Sequence, residues 1–182
     1  WDRAGNLTSV TGPTGRVTRY GVDPLGRVTA LSRSGSPEVT VRYDTMGRAQ
    51  KVATAAGAWN FAYDSEGRLT KMTAPNGAAW TLKHDALGRT TAIVDPLGAT
   101  TAFELDAAGR VTAQALPGGV VESFDWDASG NLLRRTNAAA KSRVSFSYDA
   151  AGRLASVTNP MNAVTRFEYD AAGRIAKILD GD

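Results

Sequence analysis

Glycines recur along this chain at positions 5, 26, 47, 67, 88, 109, 130, 152 and 173, with successive gaps of 21, 21, 20, 21, 21, 21, 22 and 21 residues. Each sits in one short phrase: a bulky residue, Asp, two variable residues, Gly, then Arg or Asn. A period held over a whole chain specifies a repeat architecture, in which each unit buries its apolar face against its neighbours. The bulky position is Trp1, Tyr43, Tyr63, Trp126, Tyr148 or Tyr169 in six copies and Val22, His84 or Leu105 in the other three. Asp2, Asp23, Asp44, Asp64, Asp85, Asp106, Asp127, Asp149 and Asp170 follow it, and then Gly5, Gly26, Gly47, Gly67, Gly88, Gly109, Gly130, Gly152 and Gly173. Arg27, Arg48, Arg68, Arg89, Arg110, Arg153 and Arg174 close seven copies, and Asn6 and Asn131 close the remaining two. Residues repeated in phase are read as structural, so no catalytic or metal-ligating residue is expected.

The segment before each phrase alternates, as in Phe61-Ala62-Tyr63, Phe146-Ser147-Tyr148 and Phe167-Glu168-Tyr169. Two bulky groups therefore share one face of a strand. Asp-x-x-Gly then predicts a hairpin turn. The Asp side chain accepts a hydrogen bond from the backbone two residues on, and Gly takes the left-handed position that a Cβ disfavours. After the turn, apolar residues stand three apart, as in Leu69 and Met72 or Ile175 and Ile178. Simple alternation does not give that spacing, and the segment is too short for a stable helix. We expect a strand with a bulge or with apolar contacts on both faces. A second turn closes each unit, as in Gly12-Pro13-Thr14-Gly15, Ala74-Pro75-Asn76-Gly77 and Asn159-Pro160-Met161-Asn162. Turn signals about every ten residues predict an antiparallel all-β chain. Nine units supply roughly eighteen short strands, whose aromatic face needs a cover.

The chain's 182 residues are 42% hydrophobic and 21% charged, a composition that folds rather than stays disordered. The formal charge is only +3 and Arg alternates with Asp, so nucleic acid is not an expected partner. There is no cysteine, hence no disulfide and no thiolate metal site. No apolar run approaches the roughly 20 residues of a membrane helix, and no stable membrane span is expected. His84, the sole histidine, occupies the repeating bulky slot and is read as packing rather than as a ligand. The repeated carboxylates lack the spacing of calcium-binding β-rolls, and no cofactor is expected. The arginine series admits a polyanion-binding stripe as the sharper reading and pairing with neighbouring Asp or Tyr as the plainer one.

Tyr-Asp-x-x-Gly-Arg at this period resembles the YD repeat of Rhs (rearrangement hotspot) proteins, shared by teneurins and the C components of insecticidal Tc toxins. The resemblance covers all 182 residues. It implies an antiparallel β-hairpin ribbon forming part of a curled hollow shell, in which the repeat-motif residues build the wall. It further implies a bacterial toxin cocoon that encloses a C-terminal toxic polypeptide, delivered from the cytoplasm by a secretion system, often of type VI. Partners would then be the rest of the same shell, the enclosed toxin and a secretion-spike protein or chaperone. Such shells carry a self-cleaving aspartyl site. Asp23-Pro24-Leu25-Gly26 and Asp95-Pro96-Leu97-Gly98 match a fragment of it but stand in phase with the turns, and are read as turns. We expect residues 1–182 to be one YD/Rhs array of about nine repeats, a fragment of a longer shell without enzymatic activity. Two alternatives stay open: a surface module binding glycans or a partner protein, and a parallel β-helix adhesin.

Overall fold

A computed structural model describes residues 1–181. Seventeen strands, every pair antiparallel, make up the regular secondary structure among the described residues. The chain divides into two compact units, residues 1–82 with 95–97, and residues 83–94 with 98–182. The first carries β1 (Ser9–Thr11), β2 (Val17–Val22), β3 (Val28–Arg33), β4 (Ser36–Tyr43), β5 (Ala49–Thr54), β6 (Gly57–Tyr63), β7 (Leu69–Thr73) and most of β8 (Ala79–His84). The second carries β9 (Thr90–Val94), β10 (Thr100–Leu105), β11 (Val111–Ala115), β12 (Val121–Trp126), β13 (Leu132–Asn137), β14 (Ser142–Tyr148), β15 (Leu154–Thr158), β16 (Val164–Tyr169) and β17 (Ile175–Leu179). Seventeen replaces the eighteen anticipated, because residues 1–8 hold a turn and no strand. No parallel pair occurs among the described residues, which removes the parallel β-helix alternative.

The three-residue apolar spacing has a definite cause. In the hairpin of β6 and β7, Phe61 faces Met72 and Ala62 faces Lys71, but Tyr63 faces Leu69. One extra residue, Thr70, is bulged out. A strand flips its side chains at every step, so one inserted residue returns Leu69 and Met72 to the same face. The same shift places Tyr148 opposite Leu154 and Phe146 opposite Val157, and Tyr169 opposite Ile175 and Phe167 opposite Ile178. Of the two expectations, the bulge is the one realised. The hairpins at the second turn, such as β15 with β16, run without a shift, except that β3 with β4 shifts between Leu31 and Arg33.

Few residues are buried. Among the described residues, Ala74, Ala92 and Glu122 are the buried ones, and no large side chain is fully enclosed. Each unit is a single antiparallel layer whose aromatic rows are half-covered by their own neighbours. A sheet face of this kind normally packs against a further layer.

Candidate functional site

The repeated phrase folds into a clasp, shown in full by the copy at Asp44. The Asp44 N–H donates to the Arg48 carbonyl at 2.8 Å, and the Gly47 N–H donates to the Asp44 carbonyl at 3.0 Å. Gly47 takes φ 81°, where a side chain is strained. Asp44 Oδ1 accepts from the backbone N–H of Met46 and of Arg48, both at 2.9 Å, while Oδ2 accepts from Arg48 Nε at 2.7 Å. One carboxylate thus satisfies two turn amides and orients the guanidinium.

The oriented guanidinium reaches the next repeat. Arg48 Nη1 donates to the Asp64 carbonyl at 3.3 Å, and the guanidinium lies 4.6 Å from the Tyr63 ring centroid. Tyr63 in turn donates its hydroxyl to the Ala49 carbonyl at 2.8 Å. Arg89 and Arg110 make the same forward bond to the Asp106 and Asp127 carbonyls, both at 2.7 Å. Arg27 and Arg153 lie over Tyr43 and Tyr169 at 4.6 and 4.4 Å. Tyr43, Tyr148 and Tyr169 donate to the Val28, Leu132 and Leu154 carbonyls. Trp126 replaces the phenol with its indole N–H, which donates to the Val111 carbonyl at 2.8 Å.

Asn6 and Asn131 keep only half of the clasp. Each side-chain amide bonds its Asp, at 2.8 and 2.9 Å, but neither makes an onward bond among the described residues. His84 stands in the bulky slot with Nδ1 at 3.4 Å from Thr90 Oγ1. The arginine stripe is neutralised by its own aspartates: all seven arginines pair with the Asp four residues earlier, at 2.6 to 2.8 Å. The described residues contain no cluster of three metal-ligating side chains. No helix there is long and apolar enough to cross a membrane.

The clasp shifts the carboxyls. The Arg48 and Arg153 backbone N–H groups are the leading cause holding Asp44 and Asp149 below the ordinary aspartate value of 3.8, with burial opposing. At Asp23 the Arg27 side chain leads. A folded-state pKa below the unfolded one gives stability that is present above the unfolded value and is lost as pH falls through the folded one. Urea midpoints are therefore expected to hold down to about pH 5 and then decline towards about pH 2. A midpoint constant across that range would contradict the clasp. Arg48→Lys should cost about 1–2 kcal/mol, since an ammonium cannot hold Oδ2, the Asp64 carbonyl and the Tyr63 ring together. Amide exchange at Asp64 and Tyr63 would report the loss.

One feature escaped sequence reasoning. Glu122 is a buried acid on the aromatic face, bonded by Gln114, Arg135 and Asn137. Its signal was present: Gln114 and Arg135 stand three residues after Val111 and Leu132, where other repeats place Met72, Val157 and Ile178.

Antiparallel hairpins built on a repeated Tyr-Asp-x-x-Gly-Arg clasp, several of whose arginines reach the following repeat, define a YD-repeat wall. The teneurin YD-shell profile matches residues 1–182, and the chain belongs to that family. The fold is that of a crystal structure of TcdB2-TccC3-TEV, with TM-score 0.81 and 16% identity over 98% of this chain and 11% of that one. TcdB2-TccC3 without its hypervariable C-terminal region aligns with TM-score 0.80 and 16% identity, over 98% and 11% of the two chains. The chain therefore spans about a tenth of those proteins' length. No curated protein matches the chain significantly in sequence.

Proposed function

We propose that residues 1–182 are an array of about nine YD repeats, a non-catalytic stretch of wall from a longer Rhs-type shell that encloses a toxic polypeptide. The observation that carries this reading is the employment of the motif. Asp44, Arg48 and Tyr63 spend their polar atoms on turn amides, on each other and on neighbouring carbonyls, which leaves a wall element and no reactive centre. The same reading gives the repeat-motif positions, from Trp1 and Asp2 to Gly173 and Arg174, a structural role. The likeness to TcdB2-TccC3, a protein with a hypervariable C-terminal region, supports a wall built around variable contents. The rest of the shell, the enclosed polypeptide and a secretion-spike protein or chaperone are its partners. The route is secretion or delivery from a bacterial cytoplasm, with type VI secretion as the specific case.

The test is limited proteolysis of the parent polypeptide. The variable C-terminal region should resist protease while the shell is intact and become cleavable once mild urea opens it. Digestion of that region at the same rate with the shell intact or open would refute enclosure. A glycan-binding module would instead show saturable binding of soluble glycans by the chain alone.

A further inference from the structure

We propose that Arg135 is a carboxylate-docking point set into the aromatic face of the sheet. On β13, Arg135 faces Phe124 of β12, where the equivalent hairpin of β6 and β7 sets Met72 against Phe61. A cation has thus entered an apolar row. Its holder is Glu122, which fills the slot that Trp59 and Trp80 fill in β6 and β8 and is 4% exposed.

A buried carboxylate is costly unless paired and bonded, and this one is both. Glu122 Oε1 accepts from Arg135 Nη2 at 2.6 Å and from Asn137 Nδ2 at 3.3 Å, and Oε2 accepts from Gln114 Nε2 at 2.9 Å. Three side chains on three adjacent strands therefore fix one guanidinium, Glu122 directly and Gln114 and Asn137 by bracing Glu122. A wall that needed only packing would keep an apolar residue at the Arg135 position, as Leu31, Val52, Met72, Ile93, Val157 and Ile178 do in other repeats.

Arg135 is not consumed by that bond. Its side chain is 53% exposed, and Nε and Nη1 make no bond among the described residues. The free proton on Nη2, with Nε or Nη1 beside it, forms a two-pronged fork, the geometry that matches a planar carboxylate. Arg135 lines a cavity of about 160 Å³ together with Glu122, Asn137, Ser142 and Val144. The Ser142 hydroxyl there adds a further donor. Glu122 already neutralises the guanidinium, so a monoanion fits better than a dianionic phosphate. If the aromatic face meets enclosed polypeptide, which rests on the proposed function, the ligand is an Asp or Glu side chain of that polypeptide. A free small acid is the other source of the same chemistry.

The experiment follows the Arg135 Nε–H resonance of the full chain by 15N NMR during titration with acetate, hexaglutamate and hexalysine at fixed ionic strength. Hexaglutamate should shift that resonance saturably, at a lower carboxylate concentration than acetate, and hexalysine should not. Arg135→Met alone strands Glu122, so the paired variant Glu122→Gln/Arg135→Met keeps the site neutral. It should bind hexaglutamate about tenfold more weakly. Ser142→Ala should weaken it by a smaller factor. No response at Arg135, a response no larger than at the exposed Arg19 and Arg42, or undiminished binding by the paired variant would overturn the site. Equal responses per carboxylate from acetate and hexaglutamate would overturn the polypeptide assignment in favour of a free acid. Protease protection of the parent shell is independent of all these outcomes and separates failure of the docking point from failure of the wall reading.

Discussion

Gly57→Ala is expected to destabilise the first unit by about 2–6 kcal/mol, from two separable causes. Thr54 pairs with Gly57 across a turn that has only Ala55 and Ala56 between them, and Gly57 takes φ 114°, a region that side chains rarely enter. A Cβ built there would lie 2.6 Å from the Pro75 Cβ. The backbone strain accounts for about 1–3 kcal/mol and the overpacking for a similar amount. Pro75→Gly removes the atom struck, so the double variant should recover the second part and retain the first. Urea denaturation of the single and double variants measures both. Equal stability of Gly57→Ala and the parent chain would rule out the close approach of these two turns.

Tyr63→Ala is expected to cost about 2–4 kcal/mol, and Tyr63→Phe about 1 kcal/mol. The ring loses its place opposite Leu69 and its contact with the Arg48 guanidinium 4.6 Å away, and the hydroxyl loses the Ala49 carbonyl at 2.8 Å. Because a repeat array transmits stability mainly between neighbours, faster amide exchange should concentrate in β5, β6 and β7. Tyr63→Trp should restore much of the loss, because Trp126 already performs both tasks with an indole. A Trp variant as unstable as the Ala variant would show that the phenol is required and the clasp is not interchangeable.

How far the chain reads itself depends on which interaction decides each feature. Asp-x-x-Gly is a local device, and its carboxylate and left-handed glycine act within five residues. The turns and their phase were therefore legible. The spacing of Leu69 and Met72 was legible as an anomaly but not as a structure, since a bulge at Thr70 shows itself only once Phe61 is placed opposite Met72. The reach of Arg48 to the Asp64 carbonyl spans 16 residues and depends on strand register, so pattern alone offered a polyanion stripe as readily as an internal clasp. Glu122, Gln114, Arg135 and Asn137 lie on three strands, and nothing local in any of them signals a shared carboxylate. The interruption of the apolar row at Gln114 and Arg135 was the one available sign.

Cross-strand nuclear Overhauser effects in the second unit test the central claim, that each Tyr-Asp-x-x-Gly phrase reverses the chain into an antiparallel hairpin. Backbone contacts are expected between Tyr148 and Leu154, Phe146 and Val157, and, across the next turn, Ser156 and Arg166. Backbone contacts instead between residues one repeat apart, such as Tyr148 and Tyr169, would mean coils stacked in the same direction and would contradict the hairpin wall.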